Sequence, residues 1–506
     1  MPISHRSSKV LLRALLSLSA IFALSLPLLL TACGGSASST PGSAPTPTPG
    51  AAQGKWTWMG GSSTPSAPGV YGTQNTPSTT NVPGARGAAV SWTDNSGNFW
   101  LLGGTVINMS TGTTISLNDL WKFNPAANTW MWVGGSNTAN AVGVYGTLGV
   151  PSTKNIPGAR YGSVSWRDPS GNFWLFGGQG YDSIGANSYL NDLWEFNSAA
   201  KTWTWVNGSS TAVNATRSYG TQGIPNSINI PGVRIYSASW TDNSGNLWLF
   251  GGTGADLTGT IGQLNDLWGF NPQIKEWTWM SGSNTVPSQF GGQPGVYGAL
   301  GTPAASNVPG GRSGSVTWTD GSGNLWLFGG TGFDSTGTQG QLNDLWEFNL
   351  TSKMWAWMSG SSTVGATGSG HSGVYGTEGT AAPSNIPGGR GGAMSWMDSS
   401  GNLWLLGGYG FDSTGREGNL NDLWKFNLTS KMWTWMSGSN AASTNVNSNS
   451  GVYGTLGVAA ATNTPGARSG AVSWMDSSGN LWLFGGDGIG STNMSGDLND
   501  LWRYQP

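Results

Sequence analysis

The chain has 506 residues, among them 83 Gly, 25 Pro, 30 Trp and one Cys, with 9% charged residues and a formal net charge of −2. Glycine at that frequency breaks helices repeatedly, which excludes helical bundles and coiled coils. An aromatic content of 11% with so little charge excludes a disordered chain, and a single cysteine excludes a disulfide scaffold.

Residues 1–32 read as a secretory signal, in which basic His5, Arg6, Lys9 and Arg13 precede an apolar run from Ala14 to Leu30. The segment Leu30-Thr31-Ala32-Cys33 resembles a bacterial lipobox, and the resemblance implies that Cys33 is lipidated and heads the mature chain. The expectation is an exported lipoprotein at the cell surface or in the periplasm, attached to the membrane through Cys33 only. Residues 33–54 are dominated by Gly, Ser, Thr, Pro and Ala and predict a flexible tether. Loss of residues 1–32 leaves eighteen basic against twenty-three acidic groups, a net charge of −5. That balance gives no electrostatic reason to expect nucleic acid.

From residue 55 onward the chain repeats. Pro-Gly-x-Arg starts at Pro83, Pro157, Pro231, Pro309, Pro387 and Pro465, at spacings of 74, 74, 78, 78 and 78. Each full repeat carries five Trp, as with Trp92, Trp100, Trp121, Trp130 and Trp132 in the first. The sixth holds only Trp474, Trp482 and Trp502, and the two it lacks stand at the start as Trp56 and Trp58. A displaced terminal segment is what a closed ring requires; an open solenoid would show capping repeats instead. In the first repeat, four β-like runs (87–93, 98–103, 119–123 and 129–133) are separated by turn residues. The expected fold is therefore an all-β, six-bladed β-propeller of four-stranded antiparallel blades over residues 55–506, with the N-terminal strand closing the last blade.

The recurring Phe/Leu-Trp-Leu-Phe/Leu-Gly-Gly, followed by Asn-Asp-Leu-Trp and a downstream Trp, resembles the kelch repeat of the galactose oxidase central domain and of kelch adaptor proteins. The resemblance covers residues 55–506 and implies the propeller. It leaves function open, because such propellers include oxidases, sugar epimerases and pure binding modules.

Strand alternation places five-residue turns on one face. On the other it places loops of about a dozen residues after Gly-Gly and blade-to-blade connections of about 24 residues. Connections after Trp279, Trp357 and Trp435 run 30 residues to the next Pro against 25 or 26 elsewhere, so one half of that face should stand taller and border a cleft for a ligand. Aromatic-plus-carboxylate pairs suited to sugar contacts recur there: Tyr181-Asp182, Phe333-Asp334 and Phe411-Asp412, with Tyr409 nearby. Arg312, Arg390 and Arg468 belong to a six-fold set of arginines with two readings: an anion-binding ring, or structural pairing with the six Asp of Asn-Asp-Leu-Trp.

The mature chain holds one His, His371, in a glycine-rich setting, and no ligand set for copper, zinc or haem, so no cofactor, no metal and no catalytic residue is expected. The first reading is a monomeric binding or display module for a glycan or a protein at the cell envelope. The alternative is a metal-independent carbohydrate-active enzyme, an epimerase or hydrolase, using Asp182, Asp334, Asp412 and Glu417 as acid and base groups.

Overall fold

The computed structural model describes residues 54–108, 112–212, 215–365, 369–443 and 449–506. Residues 52–506 form one compact unit. The lipobox and Cys33 lie outside the described residues.

Six antiparallel sheets, each with consecutive strands as neighbours, make the six blades. The first blade runs through Val90–Thr93, Phe99–Asn108, Thr113–Asn124 and Thr129–Gly134. In the sixth, Lys55–Gly60 lies outermost against Ser495–Gln505, pairing Trp56 with Tyr504 and Trp58 with Trp502. The displaced tryptophans thus complete the last blade.

Aromatic packing welds the blades together. Trp92 of the first blade stacks on Phe173 of the second, with centroids 5.2 Å apart. Where the last blade meets the first, Trp474 stacks on Phe99 at 5.1 Å, so the seam is built like the junction of the first and second blades. Twenty-four of the thirty tryptophans are buried, and each of the other six donates its indole N–H to a carbonyl two residues on. The indoles are consumed by the scaffold, which leaves other residue types to contact ligands.

The loops after Gly-Gly are shorter than expected. The second strand of the second blade runs Phe173–Tyr181 and the third Asn187–Asn197, so only five residues join them. A register shift between Phe176 and Gly178 lets the hairpin continue beyond the glycine pair. Gly177 has φ of 63°, and a Cβ there would lie 2.9 Å from the Arg234 carbonyl of the next blade. The Gly-Gly pair is therefore required by close approach of the neighbouring blade.

The inner strand is interrupted, as in Arg160–Tyr161 and Val164–Arg167. The residue at the break has positive φ in all six blades. Its N–H donates to its counterpart one blade back: Ala88 to Gly470, Gly470 to Gly392, Gly392 to Gly314, Gly314 to Tyr236, Tyr236 to Gly162 and Gly162 to Ala88, all at 2.8–2.9 Å. These six bonds form a collar around the central axis and close the ring a second time.

Candidate functional site

The arginines are structural. Arg312 donates from Nη1 and Nη2 to Asp344 at 2.7 Å, from Nη1 to the Gly329 carbonyl and from Nε to the Gly310 carbonyl. Arg390 and Arg468 repeat this with Asp422 and Asp500. All six pairs are buried. The expectation that Arg312, Arg390 and Arg468 contact a ligand is corrected by this geometry: no guanidinium face is free. The same Asp accepts the hydroxyl of a tyrosine from the long connection, as in Tyr297 to Asp344 at 2.6 Å, so the network also pins the connections.

The hairpin carboxylates are structural too. Asp334 accepts the Thr336 and Thr338 N–H groups and the Thr336 hydroxyl on Oδ1, and the Val364 N–H on Oδ2. Asp412 does the same with Thr414, Arg416 and Ala442, and Asp182 with Ile184, Ala186 and Ala212. Burial disfavours the charge on Asp334 and Asp412, yet these donors outweigh it and lower both carboxyls below their ordinary value. All three side chains are buried and staple a hairpin to a connection about 30 residues downstream. They are corrected from ligand or acid–base groups to staples.

Phe333 and Phe411 are roofed: a Cβ on Gly292 or Gly370 would lie 2.4 or 2.5 Å from the ring. These glycines belong to lengthened connections, whose backbone runs beside Gln263 and Gln341. The backbone of these connections therefore passes over both rings, leaving Phe411 buried and Phe333 partly exposed. Tyr181 stays partly exposed at a strand end.

One row of each blade breaks the repeat. Just above the collar, on the side of the long connections, cross-strand partners on the inner, second and third strands read Gly87–Thr105–Ser116, Tyr161–Gln179–Tyr189, Ile235–Thr253–Gln263, Ser313–Thr331–Gln341, Gly391–Tyr409–Asn419 and Ser469–Asp487–Asp497. On each strand one flanking position is the same in all six blades: Arg before the row on the inner strand, Gly before it on the second and Leu after it on the third. Tyrosine use makes the same point. Of twelve, six pin connections and Tyr504 fills the core. Of the other five, Tyr161, Tyr189 and Tyr409 stand in this row and Tyr236 on the collar beside it, with Tyr161, Tyr189 and Tyr236 close enough to influence one another. Positions needed by every blade are the same in every blade; positions that differ are free to meet a ligand.

Three acceptor atoms of the row, Gln263 Oε1, Asn419 Oδ1 and Asp497 Oδ1, are buried and have no donor among the described residues. Tyr236 holds φ of 57° on the collar, where four blades carry glycine, and its ring lies 6.4 Å from that of Tyr161. A bulky side chain in the left-handed region is strained, and such strain concentrates at functional sites. Of the residues proposed from sequence, Tyr409 alone stands in the row. Asp487, Asp497, Tyr161, Tyr189 and Tyr236 were not foreseen; departure from the repeat at a fixed register was the signal that marked them.

Burial pushes Asp497 up to about 7, Asp487 adds to this, and the Ile107 N–H and Arg86 oppose it. The folded carboxyl keeps its proton to about pH 7, while an unfolded one releases it near 3.8. This group's contribution to stability is therefore present at low pH and lost as pH rises from about 4 to 7. Asp497→Asn should raise the melting temperature by more at pH 8 than at pH 5, and leave it nearly unchanged only below about pH 4. An equal effect at pH 8 and pH 5 would show that the carboxylate is compensated.

A depression of about 280 Å³ lies on the opposite face beside Asp94, Trp100, Lys122 and Asn172. Turn residues common to the repeat line it and Lys122 already pairs with Asp94, so the divergent mouth is the stronger candidate.

No family model matches this chain, and no curated protein matches it. Among solved structures, the structure of YjhT is similar at 15% identity, covering 83% of this chain and 95% of that chain with a TM-score of 0.46.

Proposed function

We propose that this propeller is a binding module that takes a glycan at the axial mouth of its long-connection face. The observation that carries this reading is the row of unlike residues, in which tyrosine rings stand near buried acceptors that lack donors. Sugars supply both complements: hydroxyl donors for the acceptors and flat C–H faces for the rings. A lipid on Cys33 would hold the module at the cell envelope, with residues 34–54 as its tether.

The test is a glycan and cell-wall polysaccharide array, with each bound sugar assayed for chemical change. Tyr236→Gly installs the residue that four other blades carry on the collar, so it removes the ring while relieving strain. It should abolish or strongly weaken binding with no loss of melting temperature. Binding unaffected by this change would move the ligand off the mouth. Turnover would instead favour an epimerase or hydrolase. That second reading draws support from Asp497, whose carboxyl titrates near neutrality beside Asp487.

A further inference from the structure

The chain has eighteen aspartates. Six hold the first-to-second turns, as Asp94 does by accepting the Ser96 and Asn98 N–H groups and the Trp100 indole. Six pair with arginine, and four, including Asp256, staple hairpins. Asp487 and Asp497 remain, and they are direct cross-strand partners, an arrangement that puts like charges side by side and is unfavourable unless something positive joins them.

Among the described residues no cation joins them. The cation nearest in charge effect is Arg86, whose donors are spent on Asp119 and the Gly84 and Gly103 carbonyls. Asp497 is 2% exposed; its Oδ2 accepts the Ile107 N–H of the first blade, and its Oδ1 has no donor. That oxygen faces Gly87, where a Cβ would lie 3.4 Å away. The equivalent inner positions carry Tyr161, Ile235, Ser313, Gly391 and Ser469, so most other blades fill the space that Gly87 leaves open. Asp487, partly exposed on the second strand, is the outer carboxylate and Asp497 the inner one. Tyr236 shares the field of Asp497, and its ring is tilted at 57° to that of Tyr161.

Resting on the glycan reading above, we propose that the ligand presents a free ammonium group, that of an amino sugar whose nitrogen is not acylated, to Asp487 and Asp497. An ammonium brings three donors and one positive charge to two carboxylates, and aromatic faces accept its alkyl flank and charge. It seats on Asp487 at the mouth, with Asp497 behind it, whose carboxyl gives up its proton as the ammonium arrives. A divalent ion fits less well: calcium takes six to eight oxygens, and among the described residues no third His, Cys, Asp or Glu joins the pair.

Calorimetry with the purified protein tests this using a glucosamine hexamer, its N-acetylated counterpart, 1,5-diaminopentane and calcium alone. The free-amine hexamer should bind about tenfold or more tightly than the acetylated one. Asp487→Asn should erase that preference and Asp497→Asn reduce it, both at unchanged fold, since Asn419 already occupies the position equivalent to Asp497 in the fifth blade. Equal binding of the two hexamers overturns the ammonium proposal and leaves the glycan reading standing. Diamine binding that needs Asp487, with neither hexamer bound, keeps ammonium recognition and overturns the glycan reading. Calcium binding lost in both variants overturns the proposal in favour of a metal, and no binding of any amine overturns it outright.

Discussion

Removal of the first strand, Lys55–Gly60, is expected to open the ring. Trp56 is 4% exposed and sits edge-on to Trp502 at 6.4 Å, and the strand's ladder with Ser495–Gln505 supplies the outer edge of the last blade. Truncating one core tryptophan costs roughly 3–5 kcal/mol, against a total stability of about 5–15 kcal/mol for a typical protein. Losing the whole strand also bares the edge of Ser495–Gln505, a template for pairing with other chains. A chain beginning at Gly61 should melt non-cooperatively and elute as aggregate in size-exclusion chromatography, and a peptide spanning 54–61 supplied in trans should restore part of the transition. A cooperative melt within a few degrees of the parent would show that the collar and the aromatic seam suffice for closure.

Breaking one buried ion pair should cost nearly as much. In Asp344→Ala the Arg312 guanidinium keeps its charge at near-zero exposure with only carbonyl partners, and the Tyr297 hydroxyl and Trp346 indole lose their common acceptor. Removing one partner of a buried pair costs about 3–5 kcal/mol, because the survivor is left uncompensated. Lys122→Ala breaks a half-exposed pair with Asp94 and serves as the control, with a cost below about 1 kcal/mol. Denaturant unfolding at matched slope reads the difference. Similar midpoints for the two variants would mean that water reaches Arg312 and that the pair is not the anchor of its blade. The same variant should loosen the connection that carries Tyr297, so hydrogen exchange in residues 292–311 should rise in Asp344→Ala and not in Lys122→Ala.

The structure separates two uses of one residue type. Asp182, Asp334 and Asp412 sit beside aromatics in hairpins and read as ligand groups in the linear chain, yet each is buried and accepts three backbone N–H groups. Asp487 and Asp497 occupy register positions where other blades place Thr, Gln, Tyr, Ser or Asn, and they are left without a positive partner. Exposure to a ligand follows from what remains unpaired after the blades are built.

Blade number, the four strands per blade and closure by Trp56 and Trp58 were determined by the sequence alone. Each is written as recurrence at constant spacing, and recurrence survives without knowing any three-dimensional contact. Which carboxylates are free, which rings are roofed, and how far the hairpins extend were decided only by tertiary structure. Val364 caps Asp334 from 30 residues downstream, Gly370 covers Phe411 from 41 residues upstream, and Tyr236 feels the charge of Asp497 from 261 residues away. Hydrogen-bond satisfaction and close packing are settled between segments distant in the chain, so local pattern could propose these side chains as functional but could not show which of them the fold had already used.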